Sequence, residues 1–436
     1  MKDFDKSFLF KLRLVMSYHD VLRNHFKPVS RCYFNKFRQS QQKAARKLQG
    51  KERLEVAFFL TIPGMWKSDE LFRAMLDDKY YHPYIVIYPY SIYKEFDSSE
   101  MLKTVERTKS FIEKKGYEYV IPYDEGTQRW YDLKEIRTPD VVFFSTPYKD
   151  SLPIYYVSHY RDTLTCYVPY GFCSLKLNEV NYNMMFHNLV GIYCLETEIH
   201  QRLAIQYSRN KGVNTVVTGY PATEVFFRED YVPQNQWKPQ SHTKKRVIYA
   251  PHHSIDKSYY PSVFLETCEE ILQIAEKYAD SIQFVFKPHQ TLKFKLQQVW
   301  GVERTEEFYE RWDRLENAQL VSDGYVDLFM TSDAMIHDCG SFTTEYLFVQ
   351  KPVMYLCRNT DMASKFNEFG QKSFECHYHG TTGRDVEDFL QRVVLDGDDP
   401  MKECRERFYE EFLRPKDGVL PSRKILKVLD EAIKGK

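Results

Sequence analysis

"DLFMTSDAMIHDCGSFTTEYLFVQKPVMYL", residues 327–356, packs several element types into one short stretch. It reads as a helix near 325–332, the strand "DAMIHD", small residues at 339–341, a helix over 341–349 and the strand "PVMYLC". An apolar run that empties into small polar residues and then a helix-length segment is a βα unit. Units in succession imply a parallel sheet with helical crossovers. Side chains at such a strand exit stand on the carboxyl edge of the sheet, where open α/β folds bind ligands.

The same rhythm extends upstream. A strand at 246–250 precedes the helix "PSVFLETCEEILQIAEKYAD", with a proline at its first position and Phe264, Leu265, Cys268, Ile271, Leu272 and Ala275 at helical spacing. The strand "IQFVFKPH", a helix over 291–315 and the strand "AQLVS" follow. An earlier series runs through "LEVAFFLTI" (54–62), "YIVIYPY" (84–90), "DVVFFSTPY", "LTCYVPYG", "GIYCLETE" and "NTVVTGYP". Between the series, residues 227–245 are polar with two prolines and read as a linker.

At 436 residues the chain is too long for one ordinary core. The expected fold is therefore α/β and GT-B-like, two Rossmann-like domains facing across a cleft, with a basic helical N-terminal arm. The expected divisions are the arm at 1–53, an N-terminal acceptor domain at 54–226, the linker, a C-terminal nucleotide-donor domain at 246–415 and a terminal helix at 416–436. The terminal helices are expected to pack across the domains.

Composition narrows the class. Hydrophobic content of 43% and charged content of 28% are ordinary for a globular chain. Nine cysteines include no C-x-x-C pair, and Cys166, Cys194, Cys268 and Cys357 sit in apolar runs as small hydrophobes. A reducing cytoplasm is the expected compartment. No stretch approaches a membrane span, and the N-terminus lacks a secretory h-region. The formal net charge is zero, but residues 1–53 hold 14 Lys and Arg against 4 Asp and Glu. Such an arm suits either an anionic membrane surface or packing on its own domain. No nucleic-acid recognition motif accompanies it.

Three strand exits in the second half carry chemistry. "YAPHHS" offers His252 and His253, "FVFKPHQTLK" offers Lys287, His289 and Lys293, and "MIHDCGSFTTEYL" offers Asp338, Gly340, Ser341 and Glu345. Each exit alone is ordinary; together they supply imidazoles, ammonium charge and backbone amides suited to a phosphate-bearing ligand. "CHYH" at 376–379 lacks the paired spacing of a zinc site, so no metal ligands are expected. The phosphate-cradling G-x-x-x-x-G-K-[ST] loop is absent.

These stretches carry a resemblance to the CDP-glycerol glycerophosphotransferase family, the primases and polymerases of teichoic acids. "VVTGYPATEVF", "VIYAPHHSI", "FVFKPHQTLK" and residues 327–356 resemble the family's segments over about residues 160–360. Two departures stand out. Tyr170, in "CYVPYGFCSLK", stands where the family has the histidine of a Trp-His-Gly-Thr segment, and "HHS" replaces "TWR" after the first strand of the nucleotide domain.

The resemblance implies transfer of an alditol phosphate from a CDP-activated donor to a hydroxyl of a surface polymer or lipid-linked acceptor, releasing CMP. No cofactor beyond the CDP-linked substrate is required. Lys287, His289, Gly340 and Ser341 would grip the pyrophosphate, with Lys293 and Asp338 on the same side and Glu345 on ribose. His252 or His253 would act as base, while Tyr170 and Gly171 would face the acceptor. The implied location is cytoplasmic and peripheral on the inner membrane face. Two alternatives remain open at this stage: a glycosyltransferase using a CMP- or UDP-sugar for capsule or lipopolysaccharide synthesis, and a non-catalytic subunit of such a complex.

Overall fold

The computed structural model describes residues 27–90, 98–255, 262–322, 324–358 and 360–435. The chain divides into two compact units. The first comprises residues up to 172, then 177–224 and 415–436; the second comprises 173–176 and 225–414.

The first unit is built on a seven-stranded parallel sheet. Its strands are β1 (Leu54–Leu60), β2 (Tyr81–Ile87), β3 (Tyr119–Val120), β6 (Val141–Phe144), β7 (Leu164–Tyr167), β8 (Ile192–Leu195) and β9 (Thr215–Val217). A separate hairpin pairs β4 (Tyr123–Asp124) with β5 (Arg129–Trp130). Spatial order is β3-β2-β1-β6-β7-β8-β9. The continuous apolar runs follow from burial on both faces of a parallel sheet: in β1 every residue but Glu55 is buried.

The second unit repeats the plan with β10 (Lys245–Ala250), β11 (Ile282–Phe286), β12 (Ala318–Leu320), β13 (Ala334–His337), β14 (Val353–Leu356) and β15 (Tyr378–Gly380), ordered β12-β11-β10-β13-β14-β15. In both sheets the strand order reverses beside the first strand. Connections leave in opposite directions there and open a crevice at the carboxyl ends, the ligand position of doubly wound sheets. In the second sheet this point lies between β10 and β13.

Several expectations need correcting. Residues 227–245 do not form a linker; this stretch is part of the second unit and closes the β12 side of its sheet. The Trp237 indole is buried and donates to Thr331 Oγ1 (2.8 Å), and the Tyr231 hydroxyl donates to Asp327 (2.6 Å). Gln319 Nε2, on β12, donates to Gln236 O (2.7 Å), and Gln283 Nε2, on β11, donates to Lys238 O (2.8 Å). The prolines prevent regular structure, but one large ring and matched amide side chains still tie the stretch down.

The helix Pro421–Lys434 belongs to the first unit, where Ile425, Leu426, Leu429 and Ile433 join the core. The expected helix over 291–315 is two, Leu292–Trp300 and Val302–Arg314, broken at Gly301, whose φ of +85° a residue with a side chain rarely adopts. The helix expected to start at Pro261 begins at Phe264, and Pro261 lies outside the described residues. "CHYH" contributes to β15 and its approach: His377 is buried and His379 stacks on Phe374.

Half of the arm is also not an arm. Lys27–Lys47 is a helix whose Phe34, Phe37, Ala44 and Ala45 are buried. Gln41 is buried with them and donates to the carbonyls of Tyr160, Arg161 and Thr163. The remainder of the expected arm, residues 1–26, lies outside the described residues.

Candidate active site

β10 and β11 are paired in parallel with Tyr249 opposite Phe286, so Pro251 and Pro288 fall level on neighbouring strands. Each proline lacks the N–H a ladder needs, and the chain leaves the sheet there. Both exits then read Pro-His-x-Ser/Thr: Pro251-His252-His253-Ser254 and Pro288-His289-Gln290-Thr291. The two turns are fastened together by backbone bonds, Lys287 N–H to Tyr249 O (2.8 Å) and His289 N–H to Pro251 O (3.0 Å). Adjacent strands lie about 4.8 Å apart, and the His252 and His289 rings are correspondingly 5.1 Å apart. His253 lies 4.2 Å from each of them, centroid to centroid.

The turns also set the proton positions. Ser254 donates its backbone N–H to His252 Nδ1 (3.3 Å), and the Ser254 hydroxyl lies 2.7 Å from the same atom. Thr291 repeats this at His289 Nδ1, with its N–H at 3.2 Å and its hydroxyl at 3.0 Å. A ring nitrogen that accepts a backbone N–H carries no proton, so in the neutral imidazole the proton sits on Nε2. Burial first, then the neighbouring His253, holds both rings neutral: His252 lies well below its usual value and His289 is pushed down to about 3. The result is a pair of adjacent neutral N–H donors.

Ligand nitrogens of the three histidines lie within 4.8 Å of one another, the one such metal-capable group among the described residues. Metal-bound histidines characteristically donate their second N–H to a carbonyl or carboxylate. Here the second nitrogens of His252 and His289 accept instead. This second-nitrogen pattern suits donation to an anion better than ligation of a cation.

Lys287 is largely buried at the exit of β11, its ammonium donating to Ser322 O (3.4 Å). Its charge and that of Lys295 further disfavour the protonated form of His289. Lys293, expected at the site, instead pairs with Glu306 (2.7 Å) and lies over the Tyr309 ring. Two residues apart on a helix point roughly 200° apart, so Lys295, which sequence reasoning passed over, takes the position expected of Lys293. Its signal was available in the helical phase of "LKFK".

Asp338 at the end of β13 is buried and acts within the protein. Its carboxylate accepts from His252 N–H (2.6 Å), Val263 N–H (3.1 Å) and the Ser262 hydroxyl. Burial raises it to about 6, against those three donors. It therefore positions the His252 turn and the approach to the helix Phe264–Lys277; the ligand contact expected of it is not what this geometry provides. Gly340 and Ser341 follow at the same exit, and Ser341 starts the one-turn helix Phe342–Glu345. Glu345 is 2% exposed, and the Tyr325 hydroxyl hydrogen-bonds it. The second unit thus gathers His252, His253, His289, Lys287 and Asp338 at one edge, but not Lys293.

In the first unit, Tyr170 and Gly171 leave β7 at the carboxyl edge. The Tyr170 and Tyr148 hydroxyls lie 3.4 Å apart.

A model of the CDP-glycerol:poly(glycerophosphate) glycerophosphotransferase family matches residues 179–429, more than half of the chain. The chain belongs to that family. As a CDP-glycerol glycerophosphotransferase it moves glycerol phosphate, or a like alditol phosphate, from a CDP-activated donor to a cell-wall polymer and releases CMP. The matched stretch includes every strand of the second unit and excludes Tyr170 and Gly171, where the chain departs from the family pattern.

Solved structures agree on the fold. The wall teichoic acid polymerase TagF matches at 13% identity and TM-score 0.53, covering 97% of this chain and 98% of that one. UDP-GlcNAc 2-epimerase from Neisseria meningitidis matches at 15% identity and TM-score 0.53, covering 86% and 99%. At these identities the likeness shows the GT-B-like architecture alone. No curated protein sequence matched.

Proposed function

We propose that the carboxyl edge of the second unit holds the donor diphosphate. Two adjacent neutral Nε2–H donors, from His252 and His289, are the observation that supports it. Lys287 and Lys295 add positive charge, the exit at Gly340–Ser341 offers backbone amides, and Glu345 is assigned to ribose. In this reading an acceptor oxygen attacks the β-phosphorus and CMP departs. Phosphoryl transfer relies chiefly on positioning and charge stabilisation around the non-bridging oxygens. Neutral imidazole donors serve that role across the physiological range because burial prevents their protonation. The base role expected of His252 does not fit, since its Nε2 already carries a proton. No metal is assigned to the reaction.

A donor screen tests this reading. Purified protein offered CDP-glycerol, CDP-ribitol and nucleotide sugars should release CMP from a CDP-alditol; release only from nucleotide sugars would replace the phosphotransfer reading with sugar transfer.

The same proposal places the enzyme peripherally on an anionic membrane face. Supporting it, the helix Lys27–Lys47 contains no Asp or Glu and exposes Lys36, Arg38, Lys43, Arg46 and Lys47. A basic residue near anionic lipid contributes about 1 kcal/mol. Changing Lys36, Lys43 and Lys47 to Glu should abolish co-flotation with phosphatidylglycerol vesicles at low salt while donor turnover persists. Unchanged flotation would defeat the idea.

A further inference from the structure

The first unit holds a cavity that the donor reading does not use. Its volume is about 840 Å³ and all its lining residues belong to that unit, a size typical of ligand sites. Residues from 189–191, which lead into β8, and from 208–214, which lead into β9, line it. The cavity therefore stands at the amino edge of the sheet, the rim opposite the one where Tyr170 leaves β7. Phe34, Asn35 and Arg38 of the helix Lys27–Lys47 form another wall.

A lattice of asparagines fixes the loop side. Asn183 Oδ1 accepts from Arg209 N–H and Asn188 Oδ1 from Asn210 N–H, both at 2.8 Å. Asn210 Nδ2 donates to Asn214 Oδ1 (2.8 Å), and Asn214 Nδ2 donates to Val190 O (2.7 Å). Lys211 lies in the left-handed region at φ +60°, which costs free energy in a residue with a side chain. The Gly212 N–H holds that turn by donating to Ser208 Oγ and Asn210 Oδ1 (2.9 Å each). The asparagines thus build the wall, and its ionic members are Arg38, Arg209 and Lys211 against one acid, Glu179. Burial lowers Arg209, a cost that an anion beside the guanidinium would offset.

We propose that this cavity binds the acceptor polymer, holding alditol phosphodiester units other than the one that reacts. The inference rests on the phosphotransfer reading above, which makes the acceptor a chain of such units. Each unit presents one anionic phosphodiester and neutral hydroxyls. Three cations answer a run of phosphates, while Glu179, which already accepts from Asn183 Nδ2 (2.7 Å), and Asn35 suit hydroxyls. A water's share of liquid volume is about 30 Å³, so a single phosphate would leave most of this cavity unfilled. The basic stripe assigned to the membrane is a different surface: Lys36 and Arg38, two residues apart on a helix, point about 200° apart.

The test is calorimetric binding of a short soluble glycerol phosphate oligomer to the full chain, without donor. Arg38 and Lys211 are exposed, so their removal is compatible with folding. Arg38→Ala with Lys211→Ala should weaken oligomer binding at least about tenfold and flatten its salt dependence. Lys36→Ala with Lys47→Ala, on another face of the same helix, should change it less than about twofold. Binding unaffected by the first pair, or weakened equally by both pairs, would overturn the proposal. So would a loss confined to phosphatidylglycerol vesicles with oligomer binding retained, which would give the cavity to a lipid headgroup. If the unaltered chain releases no CMP from any CDP-alditol yet binds the oligomer through Arg38 and Lys211, the donor reading fails alone. If it releases CMP but does not bind the oligomer, the cavity assignment fails alone.

Discussion

The two sheets share one winding plan but finish their carboxyl edges with opposite chemistry. In the second unit the exits of β10 and β11 place imidazoles and lysines, all donors. In the first, the described exits of β2, β6 and β7 place the tyrosines Tyr88, Tyr148 and Tyr170, with Lys149 and Asp150 following Tyr148. A donor-lined edge suits a diphosphate; the tyrosine-rich edge offers mainly hydroxyls. One winding plan thus carries two chemically unlike edges by changing only the few residues after each strand.

The sharpest way to break this contrast is at the second edge. His289→Ala should cut CMP release by about 100-fold or more, comparable to loss of one preorganised donor at a developing charge. Donor affinity should fall with it, measured by calorimetry. Normal turnover would show that the edge does not hold the diphosphate.

A smaller effect separates two lysines. Lys295→Ala should weaken CDP-glycerol binding about tenfold, or about 1.4 kcal/mol, with the salt dependence reduced. Lys293→Ala removes an exposed ion pair with Glu306 and should change binding less than twofold. The reverse ranking would reinstate Lys293.

Acid stability sharpens the comparison further. His252, His289, His337 and His377 of the second unit are all depressed chiefly by burial, His337 to about 3. A histidine depressed in the folded state contributes stability that is present above its unfolded value, near 6.5, and lost as pH falls below it. The first unit has His187, depressed to about 3, but also Asp150 and Glu224, each raised to about 7 by burial. Raised carboxyls work in the opposite sense: their stability is full below the unfolded value and lost as pH rises through about 7. Asp338 supplies only one such offset in the second unit. Between pH 7 and 5.5 the second unit should therefore lose at least about 1 kcal/mol more than the first. Hydrogen exchange resolved by unit would show it; equal losses would contradict the burial pattern.

Much of this was legible in the residues. Apolar runs such as "LEVAFFL" and "IQFVF" announce buried parallel strands, and the exits of β10 and β11 bring His252, His253 and His289 to one edge as expected. The residues 227–245 were misread because polarity and proline argue locally for a linker, whereas Trp237 finds its burial only through strands distant in sequence. Lys293 is the lysine nearer His289 in sequence, but helical phase turns it toward Glu306 and leaves Lys295 to act on His289. Metal ligation was judged from spacing at "CHYH", while the imidazoles that do cluster come from two separate strands and meet only through register.

That register imposes an unusual arithmetic on the gene. The twin Pro-His-x-Ser/Thr turns work together because β10 and β11 reach the rim in step. Insertion of one codon within either strand would slide its imidazole by about 3.3 Å and send alternate side chains to the other face. Lengthening the break at Gly301, between the two helices that follow, would leave the pairing untouched. Length variation among descendants of this chain should thus accumulate downstream of the turns and be purged from the two strands that deliver them.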